Sequence, residues 1–143
     1  MSLLDAVIIC LSSLLRQNRP LGRLTLKSGV ITKPYISDLG RSLRYNHELQ
    51  ELELLDVSLC SQGLRNFLIS LGENEHLEKL ALSVAKIHDE CVFGLCDIIL
   101  LCKTSLKRID LGESAISEMG IEALLAAIRV RMLSTPPDHL SKG

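Results

Sequence analysis

The same apolar columns return along this chain at nearly constant intervals. Leu21, Leu49, Leu77 and Leu106 are separated by 28, 28 and 29 residues. Counted from each of these leucines, offset +3 holds Leu24, Leu52, Leu80 and Ile109, and offset +5 holds Leu26, Leu54, Leu82 and Leu111. Further along each unit, +15 holds Ile36, Leu64, Val92 and Ile121, and +18 holds Leu39, Phe67, Leu95 and Leu124. Offset +22 holds Leu43, Leu71, Ile99 and Ile128. Agreement in this many columns favours an array of one repeated unit over an unrelated α/β domain with evenly spaced strands.

The unit is clearest over residues 49–76. Leu52 and Leu54 alternate with Glu51, Glu53 and Leu55, the period-two pattern of a strand with one buried face. Val57 and Leu59 continue inward around a bend, and Ser61 and Gly63 punctuate the chain before a helix. Leu64, Phe67, Leu68 and Leu71 form one apolar helical stripe. Asn74 follows the stripe, where a left-handed residue is wanted and asparagine tolerates it. Asparagine recurs just before three of the strands, at Asn18, Asn46 and Asn74, with Lys103 in the fourth place. One such unit cannot bury both its strand face and its helix face, so it must stack on neighbours.

Counting one step back from Leu21 places Val7, Ile8, Leu11 and Leu15 in helix columns, so residues 1–20 are expected to be the helix half of a repeat without a strand. That helix covers one end of the helical layer and leaves the edge of the first strand partly open. Residues 1–133 then form one domain, with repeats starting at 21, 49, 77 and 106. In the last unit Ser117 is the expected N-cap and Glu118 suits the first turn. Arg129 and Arg131 suit the last turn, and Pro136 and Pro137 end the helix before a flexible tail over 134–143.

Parallel strands lie about 4.8 Å apart, whereas packed helices need about 8–10 Å. An array with one of each per unit must therefore curve. Crossovers between parallel strands are right-handed. The expected fold is α/β: a right-handed solenoid with four parallel strands on its concave face and five helices on its convex face.

At these columns the sequence resembles the leucine-rich repeat family, in particular its ribonuclease-inhibitor-like class with 28- and 29-residue units. The resemblance covers about residues 7–131. One feature departs from it. The family carries Asn or Cys three residues after the last strand leucine, and here those places hold Gly29, Val57, Ala85 and Ser114. A side-chain ladder at that bend is therefore missing. Looser bends are expected, held by backbone bonds or water. The resemblance implies binding of protein partners, and an alternative role as regulator of an enzyme, in the manner of the Ran GTPase-activating proteins that share this repeat class. It also points to cytoskeletal, ciliary and innate-sensing complexes, in which the chain would be one subunit.

Charge and composition narrow the classes further. The net charge is −1 with both signs interspersed, which argues against a nucleic-acid surface and against an anionic membrane surface. The apolar run near the N-terminus is interrupted by Ser12 and Ser13, too short to span a bilayer, and Asp5 disfavours a signal peptide. An odd count of five cysteines points to reduced thiols in a cytoplasmic setting. Cys91, Cys96 and Cys102 lack zinc-ligand spacing and are expected to be small buried apolar residues. His47 and His76 fall at successive helix-to-strand corners, His139 lies in the tail, and His88-Asp89-Glu90 reads as helix-start chemistry. No phosphate-cradling glycine loop and no catalytic constellation is evident. The chain is therefore expected to be no enzyme, with no cofactor, no metal and no small-molecule substrate.

What remains is a binding surface, either the concave sheet or the open ends of the solenoid, where an exposed parallel edge could dock onto another subunit. The strand positions that face solvent gather on one side of the sheet, the side such arrays use for partners. Arg23, Thr25 and Lys27 come from the first strand, Glu51, Glu53 and Leu55 from the second, Lys79 from the third, and Arg108 and Asp110 from the fourth. These nine are the candidate protein-binding residues. Charges alternate along Arg23, Glu51 and Lys79, either as weak solvated pairs or as a mixed-charge docking face around Leu55, which is expected to be an outward apolar anchor or to fold back onto a neighbouring loop.

Overall fold

The computed structural model describes residues 1–84, 94–96, 106–112 and 117–134. Their element order is α1 (Leu3–Arg16), β1 (Arg23–Val30), α2 (Lys33–Arg44), β2 (Glu51–Ser58), α3 (Ser61–Leu71), β3 (Lys79–Val84), β4 (Arg108–Asp110) and α4 (Glu118–Ser134). Residues 94–96 are helical and make a fifth helix. The four strands form one sheet in the order β1-β2-β3-β4, and each neighbouring pair is parallel. β1 is therefore an edge strand, and α1 packs against both β1 and α2.

The register carries the leucine columns straight through the sheet. Leu24 pairs with Leu52, Leu52 with Leu80 and Leu80 with Ile109, and the next inward column runs Leu26, Leu54, Leu82. Leu52, Leu54, Leu80 and Leu82 are fully buried, and so are Ile36, Leu39, Leu43, Phe67 and Leu68 from the helices that cover them. Truncating one such leucine to alanine removes transfer energy and leaves a cavity, at a cost of about 2–5 kcal/mol. One carbonyl per unit also accepts two amides from the next. Gly22 O takes Gln50 and Glu51 N–H, Gln50 O takes Glu78 and Lys79 N–H, and Glu78 O takes Lys107 and Arg108 N–H.

The helix-to-strand corner is where the sequence reading needs correction. Asn74 is not a left-handed residue: the positive-φ non-glycine residues among those described are Asn18, Ser28 and Asp56. Its side chain is the functional part. Asn74 Nδ2 donates to Leu43 O at 2.6 Å and to Asn46 O at 3.0 Å, while Oδ1 accepts from His76 N–H at 2.8 Å and Leu77 N–H at 2.7 Å. Asn46 repeats this one unit earlier, donating to Leu15 O and accepting from Glu48 and Leu49 N–H. Asn18 Oδ1 accepts from His47 N–H. A buried asparagine ladder thus satisfies backbone groups here, on the opposite corner from the one where a ladder was missed.

At the strand-to-helix bend, Ser28 and Asp56 sit at φ 57° and 54°. Ile31 N–H donates to Ser58 O at 3.1 Å, so a backbone bond links successive bends. Between β2 and β3 the register slips by one residue there, with Val57 opposite Val84. Ser61 and Gly63 do not precede α3 but form its first turn. Cys60 is its N-cap, the Sγ accepting from Gly63 N–H at 3.2 Å. Ser117 caps α4 as expected, Oγ accepting from Gly120 N–H at 3.3 Å. α4 runs on to Ser134, three residues past the expected last turn at Arg131.

In α1, Ile8 and Leu15 are buried and Leu11 is half-buried, but Val7 remains 38% exposed. Ser2 and Asp5 form a capping box. Asp5 is buried and also accepts from the Thr32 amide and hydroxyl, which ties the starts of α1 and α2 together. Burial opposes ionisation of Asp5, yet the hydrogen bonds from Ser2 and Thr32 outweigh it and hold the carboxyl below its ordinary pKa. Cys96 is buried, whereas Cys10 and Cys60 are exposed. The expectations for Cys91, Cys102, Val92, Ile99, His88-Asp89-Glu90, Lys103, Ala85, Ser114, Pro136, Pro137, His139 and the tail from 135 onward fall outside the described residues.

Candidate functional site

Strand pairing converts the outward positions into rungs. Arg23, Glu51, Lys79 and Arg108 form one rung, Thr25, Glu53, Ala81 and Asp110 the next, and Lys27, Leu55 and Ser83 the third. All nine candidate residues therefore share the sheet face opposite the leucines. Five of them are bonded to one another. Arg23 Nη2 lies 3.2 Å from Glu51 Oε2, and Lys79 Nζ lies 3.9 Å from Glu51 Oε1 and 3.3 Å from Glu53 Oε2. Thr25 Oγ1 donates to Glu53 Oε1 at 2.8 Å. The network crosses three strands and interleaves its charges, with Arg23 opposite Glu51 and Glu51 opposite Lys79, whereas Lys79 and Arg108 meet as like charges at its far edge.

Glu53 is its most enclosed carboxylate, with a side chain only 19% exposed beside Lys79 at 23%. The Thr25 hydroxyl, then the Lys79 ammonium, favour its ionised form and outweigh burial, so its pKa lies below the ordinary glutamate value. At the other end of the network Arg23 is 63% exposed. Surface pairs of that kind contribute about 0–1 kcal/mol each. The network therefore fixes the direction of the side chains more than it stabilises the fold.

The other four candidates stand outside the network. Leu55 is half-buried on the third rung, between Lys27 and Ser83. Lys27 and Arg108 are exposed and have no ion pair among the described residues. Asp110 is exposed, and its Oδ1 accepts from Gly112 N–H at 3.0 Å, folding the end of β4 at a glycine with φ 56°. Ala81, on the same face of the sheet, is only 5% exposed, because a methyl group does not reach past the longer side chains on its rung.

A second surface lies at the asparagine corner. Arg44, Tyr45, His47, Glu73, Glu75 and His76 line a shallow groove of about 450 Å³, where the His47 and His76 rings meet edge to face at 5.9 Å. Sequence spacing placed the two histidines at this corner; that they touch follows from the ladder beneath them. Among the described residues no group of three or more His, Cys, Asp or Glu side chains could hold a metal ion, and no helix is long and apolar enough to cross a membrane.

No family model matches the chain. It is 33% identical over 104 residues to NACHT, LRR and PYD domains-containing protein 3 of Rattus norvegicus, covering 72% of this chain and 10% of that protein. To the protein of the same name in Mus musculus it is 31% identical over 117 residues, covering 81% of this chain and 11% of the relative. The chain thus spans about a tenth of the length of the curated relatives it matches. Among solved structures, Leiomodin-1 Actin-Binding Site 2 (ABS2) superposes with a TM-score of 0.64 over 92% of both chains at 12% identity. That likeness is one of fold. The chain has leucine-rich-repeat character. Its four-stranded parallel sheet with helices between the strands is that of a repeat solenoid.

Proposed function

We propose that the chain is a non-catalytic leucine-rich-repeat module, of the ribonuclease-inhibitor-like class, that grips a protein partner with the solvent face of its sheet. The observation that carries this reading is the bonded array of Arg23, Thr25, Glu51, Glu53 and Lys79. Its side chains are held before any partner arrives, so little rotamer entropy is lost on docking. Leu55 beside it supplies apolar area, and Lys27 and Arg108 supply cations for carboxylates on the partner. Exposed thiols at Cys10 and Cys60 suit a reducing, cytoplasmic compartment.

The partner belongs to a larger assembly in this reading, and the fold likeness to an actin-binding site makes actin the first probe. Crosslinking mass spectrometry in native cell extract, with purified actin assayed separately by co-sedimentation, should give crosslinks that map to β1–β3. The double variant E53Q/L55D should lower capture at least about tenfold, the loss of one small anchor and its neighbour, with an unchanged circular dichroism spectrum. Unchanged capture by a folded variant would move the site off this face.

A further inference from the structure

Between adjacent units the helices meet through a fixed set of columns, and three places in the structure show which. A Cβ on Gly40, at offset +19, would lie 3.1 Å from Ser70 Cβ at +21 of the following helix. A Cβ on Gly63, at +14, would lie 3.0 Å from Ile36 Cγ2 at +15 of the preceding helix. A Cβ on Gly94, at +17, would lie 3.4 Å from Leu68 Cβ at +19 of the preceding helix. The cluster of Cys96 with Ala123 and Ala127 repeats the rule, +19 against +17 and +21. Offsets +14, +17 and +21 therefore face backward along the array, and +15 and +19 face forward.

Both ends of the array leave one half of this joint uncovered. On α1 the backward columns are Val7, Cys10 and Leu14: Val7 is 38% and Leu14 42% exposed, and Cys10 is exposed as well. On α4 the forward columns are Ile121 and Leu125, 49% and 53% exposed, with Ile128 beside them at 43%. In α2 and α3 the same +15 and +22 columns are buried to within 1%. The two open faces are not alike. They are the two complementary halves of the contact that α1, α2 and α3 already make with one another.

We infer that a second copy of this chain docks head to tail, the backward face of α1 seated on the forward face of α4 of the next copy, continuing the helical layer across the joint. This goes beyond capture of a partner by the sheet and uses none of its residues. The contact is heterologous, so assembly is open-ended unless the rotation closes a ring.

The 143-residue chain is the test material. Sedimentation velocity from about 1 to 100 μM, the range in which a modest interface assembles, should show mass rising past the dimer. V7D/L14D and L125D/I128D, each placing charge on an already exposed face, should be monomeric and folded by circular dichroism. Mixed one to one, they should give a dimer and nothing larger, because each retains one intact half. In a C60S background, Leu125→Cys should give a ladder with a short bis-maleimide, and adding Cys10→Ser should abolish it. A wild-type chain that stays monomeric over this range overturns the inference. So does a dimer that survives both pairs of substitutions, or a ladder that does not need Cys10.

Discussion

Three successive units use the same side chain at the helix-to-strand corner, whereas the three strand-to-helix bends among the described residues each use a different one. Asn18, Asn46 and Asn74 occupy one column and accept amides of the chain that follows. Across the unit, Thr32, Cys60 and Ser117 occupy one column with three chemistries: Thr32 is held by Asp5 of the preceding helix, Cys60 caps through sulfur, and Ser117 caps through a hydroxyl. The difference follows from burial. Asn46 and Asn74 are 2% and 0% exposed, so any backbone group left unpaired beside them has no water to turn to. Thr32 and Cys60 are exposed, where water substitutes for an imperfect partner. A buried corner admits one solution and an exposed bend admits several.

Asn74→Ala is the hardest blow to this contrast. It leaves Leu43 O, Asn46 O and the amides of His76 and Leu77 without their side-chain partner. Unpaired buried groups cost about 1–3 kcal/mol each, with partial relaxation, so a loss of about 3–5 kcal/mol is expected. Urea unfolding followed by circular dichroism measures it. A loss no larger than that of Cys60→Ala would erase the distinction between the corners.

Asp5 is the exception that sharpens the comparison, because it is a buried group serving a bend. Asp5→Asn should destabilise by about 1–3 kcal/mol at neutral pH, the range for a charge-assisted hydrogen bond lost in a buried site. The pH dependence has a definite sign. The folded pKa is depressed below 3.8, so the contribution is complete above that value and disappears as pH falls through the lower folded pKa. Urea midpoints of wild type and variant should differ at pH 7 and converge in the acid range below 3.8. Glu53, depressed by Thr25 and Lys79, shifts the wild type in the same direction, so the difference between the two proteins is the quantity to follow.

The leucine columns were legible because burial between two neighbours depends only on spacing, and spacing is written in the chain. Hence Leu24, Leu52, Leu80 and Ile109 share a register without any knowledge of their surroundings. The asparagines were visible as a column, but their task was misread, because a donor and acceptor inventory becomes meaningful only once two corners are stacked. At the candidate face, the alternation of Arg23, Glu51 and Lys79 was readable along one rung. The bond from Glu53 to Lys79 was not, since Lys79 reaches diagonally to the next rung. Nor could periodicity report that Ile121 and Ile128 are exposed while Ile36, Leu64, Leu43 and Leu71 in the same columns are buried. A column gives a direction, and coverage depends on what lies in that direction.

The smallest effect tests whether the bends carry residual strain that the corners do not. Ser28 adopts φ 57°, a left-handed conformation that costs a residue with a Cβ about 1–2 kcal/mol and costs glycine little. Its hydroxyl contact to Asp56 Oδ2 is long at 3.4 Å and exposed, so little is lost with it. Glycine also gains entropy in the unfolded chain, which subtracts from the benefit. Ser28→Gly should therefore stabilise by about 0.5 kcal/mol, read as a rise in urea midpoint at unchanged slope. The matching substitution at the other corner, Asn18→Gly at φ 50°, relieves the same conformation but removes the acceptor for His47 N–H, and its sign should be reversed. Opposite signs at two equally left-handed positions would show that side-chain hydrogen bonding, rather than backbone preference, distinguishes the two corners.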